Sequence, residues 1–510
     1  SLQGESVHFR STLGAYGLQS YQLSAALTSK KTTGLLHLNK TSTAGYRAFS
    51  ALEQITFNAK VKHQMNPKAS IQAQFNYTHS PKAQDAGGLT LEEALENPSQ
   101  ARQRNVDYDT FEKIDQLKMG VRWLQKWRSN WNLDTYAFFS IRDFYGKLPF
   151  ENGGIVDLYR NYYGAGSRLT HLKTIKNISH QWQLGMEAAS QSDQRDRFLN
   201  QKGIQGTSVF SQQERFDSFG LYVLDELKAE QWLLRSSLRF DHQTLGADTI
   251  VESQTYSVLN PSLGFSYLLS DNRTLFFNVS TSYETPALSE LSANPSGAEG
   301  FNLTLEPSRA INYEMGWKRL AAKSRIEANL FFIKSSNEIL PYELADFPGR
   351  SFYRNTGATE RYGLELAANF SWNTWQLQTS FTQASYRFSG LEDVSDSLKG
   401  NDLPGIPSTQ MFMQLEYSTP SSWQFQLTAE HIGRLFANNQ NTVAVNAYQK
   451  VRLQTSKGIA LSWGELSFFG GVNNLFDVRY YDNIRLNAFG SRHFEPAPGR
   501  NLFGGLSIAF

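Results

Sequence analysis

Arginine and tyrosine recur together in several polar segments of this 510-residue sequence. A guanidinium group is a planar fork of donors that binds carboxylates and other anions in a bidentate manner, and tyrosine rings can form walls beside it. An anionic ligand would require side chains of this kind. The candidate ligand-binding residues are Tyr159, Arg160, Tyr162 and Tyr163; Arg195 and Arg197; Arg350, Tyr353 and Arg354; and Arg479, Tyr480, Tyr481, Arg485 and Arg492.

Other chemistry has little support in the sequence. The nine histidines include no pair at metal-ligand spacing, cysteine is absent and methionine occurs six times, so neither a metal site nor a copper site is expected. The sequence contains no nucleophile elbow, no phosphate-binding glycine loop and no His-Glu-x-x-His motif. We expect no cofactor and no enzymatic activity.

The composition narrows the class of protein that must position these residues. Lys and Arg total 49 against 47 Asp and Glu, which predicts no nucleic-acid partner. Mean hydropathy is −0.45, and no run of 18 apolar residues occurs, so no helical membrane span is expected. The aromatic fraction is nevertheless 13%. Polar chains rich in aromatic residues are typical of transmembrane β-barrels, which need an apolar residue only at alternate strand positions.

Alternation with a period of two runs along the whole chain. In one segment Trp423, Phe425 and Leu427 alternate with Gln424 and Gln426. Glutamine at so many inward positions suits a wide, wet lumen better than the packed core of a soluble β-sandwich or propeller, which is the alternative interpretation.

The connections alternate in length, which predicts two different rims. Short turns occur at Lys176-Asn177 and Trp372-Asn373, for example. Eleven longer connections correspond to an all-β, antiparallel barrel of about 22 strands, with short periplasmic turns and long extracellular loops. We expect those connections near 14–17, 41–46, 79–113, 143–162, 190–215, 242–257, 282–309, 335–359, 387–408, 432–447 and 478–499.

The last segment reads as the closing strand of that barrel. Leu502, Leu506, Ile508 and Phe510 alternate with small or polar residues. Such a strand would pair with the first one. It also resembles the C-terminal strand by which outer-membrane barrels are recognised for assembly, and this resemblance makes Phe510 the candidate membrane-assembly signal. In a barrel, the tyrosines proposed above could instead form the upper aromatic belt, and the arginines could form rim salt bridges or contact lipopolysaccharide. Both interpretations stay open.

Four segments in the C-terminal half resemble the signatures of TonB-dependent outer-membrane receptors of the siderophore-receptor type, in the order that the family has them. They are Glu306 to Gly316; Asn355-Thr356-Gly357 continuing to Arg361-Tyr362-Gly363-Leu364-Glu365; Gly400 to Pro407; and Gly471-Val472-Asn473-Asn474-Leu475-Phe476-Asp477 followed by Tyr480-Tyr481 and Pro498-Gly499-Arg500.

The resemblance implies a multi-pass barrel in the bacterial outer membrane that imports a scarce nutrient, and the nutrient expected is a ferric siderophore or a similar chelate. It implies as partners outer-membrane lipid and lipopolysaccharide, a plug domain inside the barrel, and the inner-membrane TonB complex that supplies the energy. Haem is not expected, because no histidine lies between His242 and His431.

The start of the chain departs from the family pattern. Alternation begins at Ser6, whereas the family places a plug of more than a hundred residues before its first strand. We therefore expect residues 1–510 to be the barrel domain, without plug or TonB box, as a shortened form, a processed fragment or one of two chains. An open pore, or a structural barrel holding a partner chain in its lumen, is the alternative function.

Overall fold

The computed structural model describes residues 6–250, 253–296, 300–347, 349–355, 357–390 and 398–510. Within these residues the chain forms 28 strands in chain order. They are β1 Ser6–Gly14, β2 Leu18–Thr28, β3 Thr32–Thr43, β4 Leu52–Asn66, β5 Ala69–Gln84, β6 Phe111–Arg128, β7 Trp131–Lys147, β8 Ile155–Ile175, β9 Ile178–Gln201, β10 Ile204–Lys228, β11 Trp232–Ala247, β12 Gln254–Ser270, β13 Arg273–Glu284, β14 Ser308–Ala321, β15 Ser324–Ser336, β16 Ile339–Glu343, β17 Ser351–Asn355, β18 Ala358–Trp372, β19 Trp375–Gly390, β20 Thr409–Ser418, β21 Trp423–Ile432, β22 Leu435–Phe436, β23 Ala444–Val445, β24 Tyr448–Leu461, β25 Gly464–Asn473, β26 Tyr481–Ile484, β27 Phe494–Pro496 and β28 Asn501–Ala509.

Twenty-two of the strands in this described part form one closed antiparallel sheet. Strand β1 closes it by pairing with β28, from His8 opposite Ala509 to Gly14 opposite Phe503. A closed sheet has no unpaired edge along its seam, which a barrel in lipid requires. The predicted 22-strand barrel is confirmed. The remaining pairs, β16–β17, β22–β23 and β26–β27, are small ribbons within connections.

The connections form two unlike rims. At one rim, called the short-turn rim, consecutive strands are joined by tight turns such as residues 176–177 between β8 and β9. The opposite rim, called the long-loop rim, has connections as long as residues 85–110 and 474–500. Connection 85–110 contains helices α1 Leu91–Glu96 and α2 Gln103–Asp107. Helix α3 Leu288–Leu291 and a 3-10 turn at Phe489–Ser491 lie in other long connections.

Three predicted loops, 143–162, 190–215 and 242–257, are mostly barrel strand, so those predictions were wrong. The first two belong largely to β7, β8, β9 and β10, which extend beyond the rest of the sheet to a two-residue turn at Lys202 and Gly203. The third belongs largely to β11 and β12. Above the membrane neither face of a strand must be apolar. The polar run from Ser190 to Arg197 therefore has no period-two signal and was read as a loop.

Aromatic rings inside the barrel lie over glycines on the neighbouring strand. Tyr136 is opposite Gly166 and Tyr222 is opposite Gly185. A Cβ atom added to Gly185 would lie 2.1 Å from the Tyr222 ring, and one on Gly166 would lie 2.7 Å from Tyr136. Glycine is therefore required there to let the rings lie flat against the wall.

Aromatic residues also gather near the short-turn rim. The His171 ring lies between Trp131, at 4.2 Å, and Trp182, at 5.2 Å. Phe510 stacks on Trp463 with ring centroids 5.1 Å apart, and its backbone N–H donates to Val7 O. Rows of this kind are typical of an interfacial girdle. In the described residues, no helix is both long and apolar enough to cross a membrane.

Candidate ligand-binding site

The connections of the long-loop rim pack against one another instead of projecting separately. Arg104 Nε donates to Pro149 O at 2.6 Å, and Asn487 Nδ2 donates to Pro341 O at 3.0 Å. We use the name loop crown for the described parts of connections 85–110, 148–154, 285–307, 337–357 and 474–500. Because these segments are far apart in sequence, sites in the loop crown exist only in the folded chain.

Small apolar cores hold the loop crown together. In one, Leu89 and Phe494 are buried and pair their backbones, with Tyr481 packed beside them. In another, Leu288 and Leu291 of α3 pack on Leu245. A capping box between Thr90 and Glu93 starts α1.

The extended strands β8 to β10 present a buried polar surface beneath the loop crown. Asp193, Asn200 and Glu214 have no exposed surface, and Gln212 has 1%. Described residues of the connection between β13 and β14 cover Glu214 and Gln212, since Ser292 donates to Glu214 and the Gly300 N–H donates to Gln212 Oε1 at 2.9 Å. This surface is shielded from solvent, so each charge on it needs a partner.

Four of the predicted arginines are neutralised by carboxylates. Arg160 forms a bidentate pair with Asp193 at 2.8 and 2.6 Å, and Arg195 forms one with Glu214 at 2.7 and 3.1 Å. Arg485 and Arg492, in the last loop, are also paired with carboxylates, so none of the four arginines offers its full charge to a ligand. Arg485 donates to Asp85 at 2.7 Å and Glu495 at 2.5 Å, and Arg492 donates twice to Glu93 at 2.5 and 2.9 Å.

These pairs shift the ionisation of the groups involved. Hydrogen bonds from Arg492 lower the pKa of Glu93 below its ordinary value, despite the opposing effect of burial. The pKa of Arg485 is raised by Asp85 and Glu495, which together outweigh the lowering caused by burial. Such ion pairs fasten α1 and segment 85–110 to segment 474–500, which is a structural role.

Arg197 and Arg350 differ from these four, because no carboxylate in the described residues pairs with either. Arg197 is 9% exposed; its Nη1 lies 3.5 Å from Gly153 O, and its Nε has no hydrogen-bond partner. Arg350 Nε also lacks a partner, and its guanidinium packs 4.7 Å from the Phe352 ring and 5.4 Å from Phe347. The two cations are close enough to repel each other.

The ionisation of Arg350 reflects this environment. Burial, and then the nearby charge of Arg195, lower the pKa of Arg350 to about 10. Arg197 is buried and Arg350 is partly buried, and together they form an electropositive site in which the Phe347 and Phe352 rings pack against Arg350. We call Arg197, Arg350, Phe347 and Phe352 the arginine pocket. An anion bound there would supply the missing counter-charge and the missing acceptors.

Arg102 is a further cation that the sequence interpretation missed. It precedes α2, and no carboxylate in the described part of the chain lies within ion-pair distance of it. Burial, with Arg492 and Arg104 nearby, lowers its pKa to about 10. The Ala-Arg-Gln-Arg run within predicted loop 79–113 was the available signal, but tyrosine was not adjacent to it.

The predicted tyrosines of β8 separate onto opposite faces. Tyr159 and Tyr163 are 46% and 52% exposed and share the outward face with Phe139, opposite Tyr163 on β7. They fit an outer aromatic belt. Tyr162 is on the inward face, where its ring packs 5.0 Å from Phe138.

The other predicted residues lie around the loop crown outside the arginine pocket. Tyr353 is half-buried against the α3 core, with its pKa raised by burial, and Arg354 stacks 5.0 Å from Tyr342. Burial raises the pKa of Tyr480, which packs 4.9 Å from Tyr448. Arg479 Nη1 lies 3.5 Å from Leu95 O, and Tyr481 contacts Phe494.

Among the described residues, no group of three or more His, Asp or Glu side chains could hold a metal ion. The loop crown therefore offers cations and aromatic rings, a chemistry suited to a ligand that brings its own negative charge.

Comparison with known proteins places this geometry in context. A family model described as TonB dependent receptor-like, beta-barrel, matches residues 56–475. The catecholate siderophore receptor Fiu of Escherichia coli (strain UTI89 / UPEC) is 22% identical over 253 residues, which are 49% of this chain and 32% of that protein. The aligned part thus spans about a third of this curated relative.

Solved structures show the same fold. The unliganded ferric citrate transporter FecA superposes with a TM-score of 0.84 at 17% identity, covering 100% of this chain and 79% of FecA. The copper transporter OprC gives a TM-score of 0.77 at 14% identity, covering 99% of this chain and 80% of OprC. Since those two proteins carry different cargoes, the shared fold leaves the ligand to be argued from the arginine pocket.

Proposed function

The chain belongs to the TonB-dependent receptor β-barrel family, and on that premise we propose that it takes up an anionic ferric siderophore across the bacterial outer membrane. The family is one of outer-membrane receptors and transporters. In the proposal the long-loop rim faces outside, the loop crown receives the chelate, and the short-turn rim faces the periplasm. The matching curated relatives include catecholate siderophore receptors of Escherichia coli, which supports an anionic chelate.

The arginine pocket is the observation that carries this proposal. Ferric catecholate complexes are negatively charged and carry aromatic rings, and Arg197, Arg350, Phe347 and Phe352 offer cations and phenyl faces. Desolvated charge-assisted hydrogen bonds are strong because little water screens them. A neutral or cationic chelate would leave both guanidinium groups without counterions.

The proposed transport cycle also involves partners. A plug domain in the lumen would block free diffusion, and the TonB complex would supply the energy that moves it. That residues 1–510 are the barrel domain, and how a plug and a TonB box relate to them, both stay predictions.

A binding experiment tests the proposal. We expect the purified chain in detergent to bind a ferric tris-catecholate, with quenching of tryptophan fluorescence, more tightly than it binds an uncharged ferric hydroxamate. Arg197→Gln and Arg350→Gln should each weaken catecholate binding about tenfold, the equivalent of one charge-assisted contact. Arg434→Gln is the matched control, because Arg434 is also a loop arginine stacked on a phenyl ring, that of Phe436 at 4.7 Å.

Equal affinity for the two chelates, or equal effects of the three variants, would contradict an anion-selective site. In planar bilayers, an open-pore function predicts steady conductance that added chelate does not change. That outcome, together with absent binding, would favour the open pore.

A further inference from the structure

The barrel wall is split near the long-loop rim between β12 and β13. Their ladder extends from Ser270 opposite Arg273 up to Ser262 opposite Ser280, and no further. Above it, residues 254–261 pair with β11 alone and residues 281–284 pair with β14 alone. The two strands therefore present unpaired backbone edges to each other.

Pro261 explains where the split begins. The carbonyl of Pro261 faces β13, because it lies 3.3 Å from the Thr281 hydroxyl. In a strand the N–H and the C=O of one residue point to the same neighbour, so the missing N–H of proline is also on the β13 side. The ladder cannot form its next pair of hydrogen bonds there.

A cavity of about 400 Å³ adjoins the split, lined by residues that include Leu259, Thr281, Ile311 and Lys334. Leu259 is 56% exposed and shares the outward face with Leu263; Ile311 is 42% exposed. The wall is thin here, since Ser282, Ala310 and Ser335 line both this cavity and one of about 410 Å³ on the lumen side.

Two cations border the cavity on its outward face. Arg309 and Lys334 are both exposed. Lys334 on β15 lies opposite Ile311 on β14, and Ile311 is two residues from Arg309 along that strand. In the described residues no carboxylate lies within ion-pair distance of either. Directly toward the membrane, the Tyr313 and Phe332 rings lie 6.1 Å apart, as in an aromatic girdle.

We propose that this cleft binds one phosphate-bearing glycolipid of the membrane leaflet at the long-loop rim. Its acyl chain occupies the groove beside Leu259 and Ile311, and its phosphate contacts Arg309 and Lys334. The proposal rests on the outer-membrane orientation of the proposed function, though not on the identity of the chelate.

The charge and depth of the cleft favour a lipid over an added peptide strand. Only four described residues of β13, from Thr281 to Glu284, lack a partner on the β12 side, and four residues are few for a stable additional strand pair. The cations lie at the level where headgroups meet the aromatic girdle, and phosphate is the anion that is abundant there.

The test titrates the full chain in detergent with diphosphorylated lipid A, counting bound lipid by native mass spectrometry. We expect one tight site, with affinity reduced about tenfold by Arg309→Gln and by Lys334→Gln, one charge-assisted contact each. Leu259→Asn should also weaken binding without changing any charge. The double variant Arg273→Gln/Arg319→Gln is the matched control, because these two arginines face each other on the neighbouring strands β13 and β14 at the opposite, short-turn rim.

Heat-modified electrophoretic mobility verifies that each variant is folded. Equal losses in the test and control variants would overturn the proposal, since they would indicate non-specific attraction. Unchanged affinity for the dephosphorylated lipid would also overturn it, as would displacement of lipid A by inorganic phosphate. The assay contains no chelate, so its result is independent of the siderophore experiment.

Discussion

Arg195 and Arg197 project from the same face of β9, yet only Arg195 has a carboxylate partner. Arg195 forms a bidentate pair with buried Glu214, whereas Arg197 has Gly153 O at 3.5 Å and an Nε without a partner. Two identical side chains two residues apart are thus assigned to different roles, one structural and one available to a ligand.

Replacing each arginine should separate these roles. Arg195→Gln leaves Glu214 buried and uncompensated, which should destabilise the protein by about 3–5 kcal/mol. Arg197→Gln removes repulsion with Arg350 and should leave the thermal unfolding temperature unchanged or higher, while weakening binding of ferric catecholate. Thermal unfolding, followed by circular dichroism, measures the stability of both variants. A comparable loss of stability in both variants would contradict the distinction.

Alkaline pH should release an anion from the arginine pocket. The pKa of Arg350 is lowered from the ordinary arginine value to about 10. The unfolded chain therefore binds more protons between those values, so this group's contribution to stability rises with pH in that window. Anion binding changes in the opposite direction and should weaken as pH rises through about 10. Affinity measured across that range should show the decline in the native protein, and Arg350→Gln should lack it.

Adding one methyl group at Gly185 should destabilise the barrel. Its Cβ would lie 2.1 Å from the Tyr222 ring, so the ring must leave the wall. Gly185→Ala should cost about 1–3 kcal/mol, as overpacking does elsewhere. The control is Gly390→Ala, since no atom of the described residues lies within 4 Å of a Cβ at that position. The temperature of heat modification on electrophoresis compares the two, and similar midpoints would contradict the packing role.

Restoring an N–H at position 261 should lengthen the β12–β13 ladder. Pro261→Ala supplies the donor that the strand lacks, so amides in residues 255–260 should exchange with deuterium more slowly. Hydrogen-exchange mass spectrometry of the folded protein in detergent reports this directly. Faster or unchanged exchange would mean that the split is held open by something other than the proline.

Phe510 should matter for assembly more than for the assembled barrel. It is 59% exposed and stacks on Trp463. We expect Phe510→Ala to lower the yield of folded barrel in the outer membrane of cells, with little change in refolding yield in detergent. Trp463→Ala removes the same ring contact and is the control. Equal yields for both variants in cells would contradict a recognition role.

The sequence predicted the barrel well where the membrane constrains it. Alternation such as Trp423, Phe425 and Leu427 is readable because lipid requires apolar residues on one face and the wet lumen accepts polar residues on the other. Above the membrane that requirement ends. Residues 190–215 were therefore predicted as a loop although they form the ends of β9 and β10.

The sequence also named candidate arginines for a binding site, but it could not tell which of them lack a carboxylate partner. Arg160, Arg195, Arg485 and Arg492 have the same side chain as Arg197 and Arg350, and no local pattern distinguishes them. Whether a guanidinium is neutralised depends on carboxylates far away in sequence, such as Asp85 for Arg485.

Composition, alternation and connection length determined by themselves a closed antiparallel barrel of 22 strands with two unlike rims, because the bilayer imposes a repeating local rule. Tertiary structure alone decided which arginines lack partners, where the loops meet and where Pro261 splits the wall. Those features arise from contacts between segments distant in sequence, and such contacts leave no periodic trace along the chain.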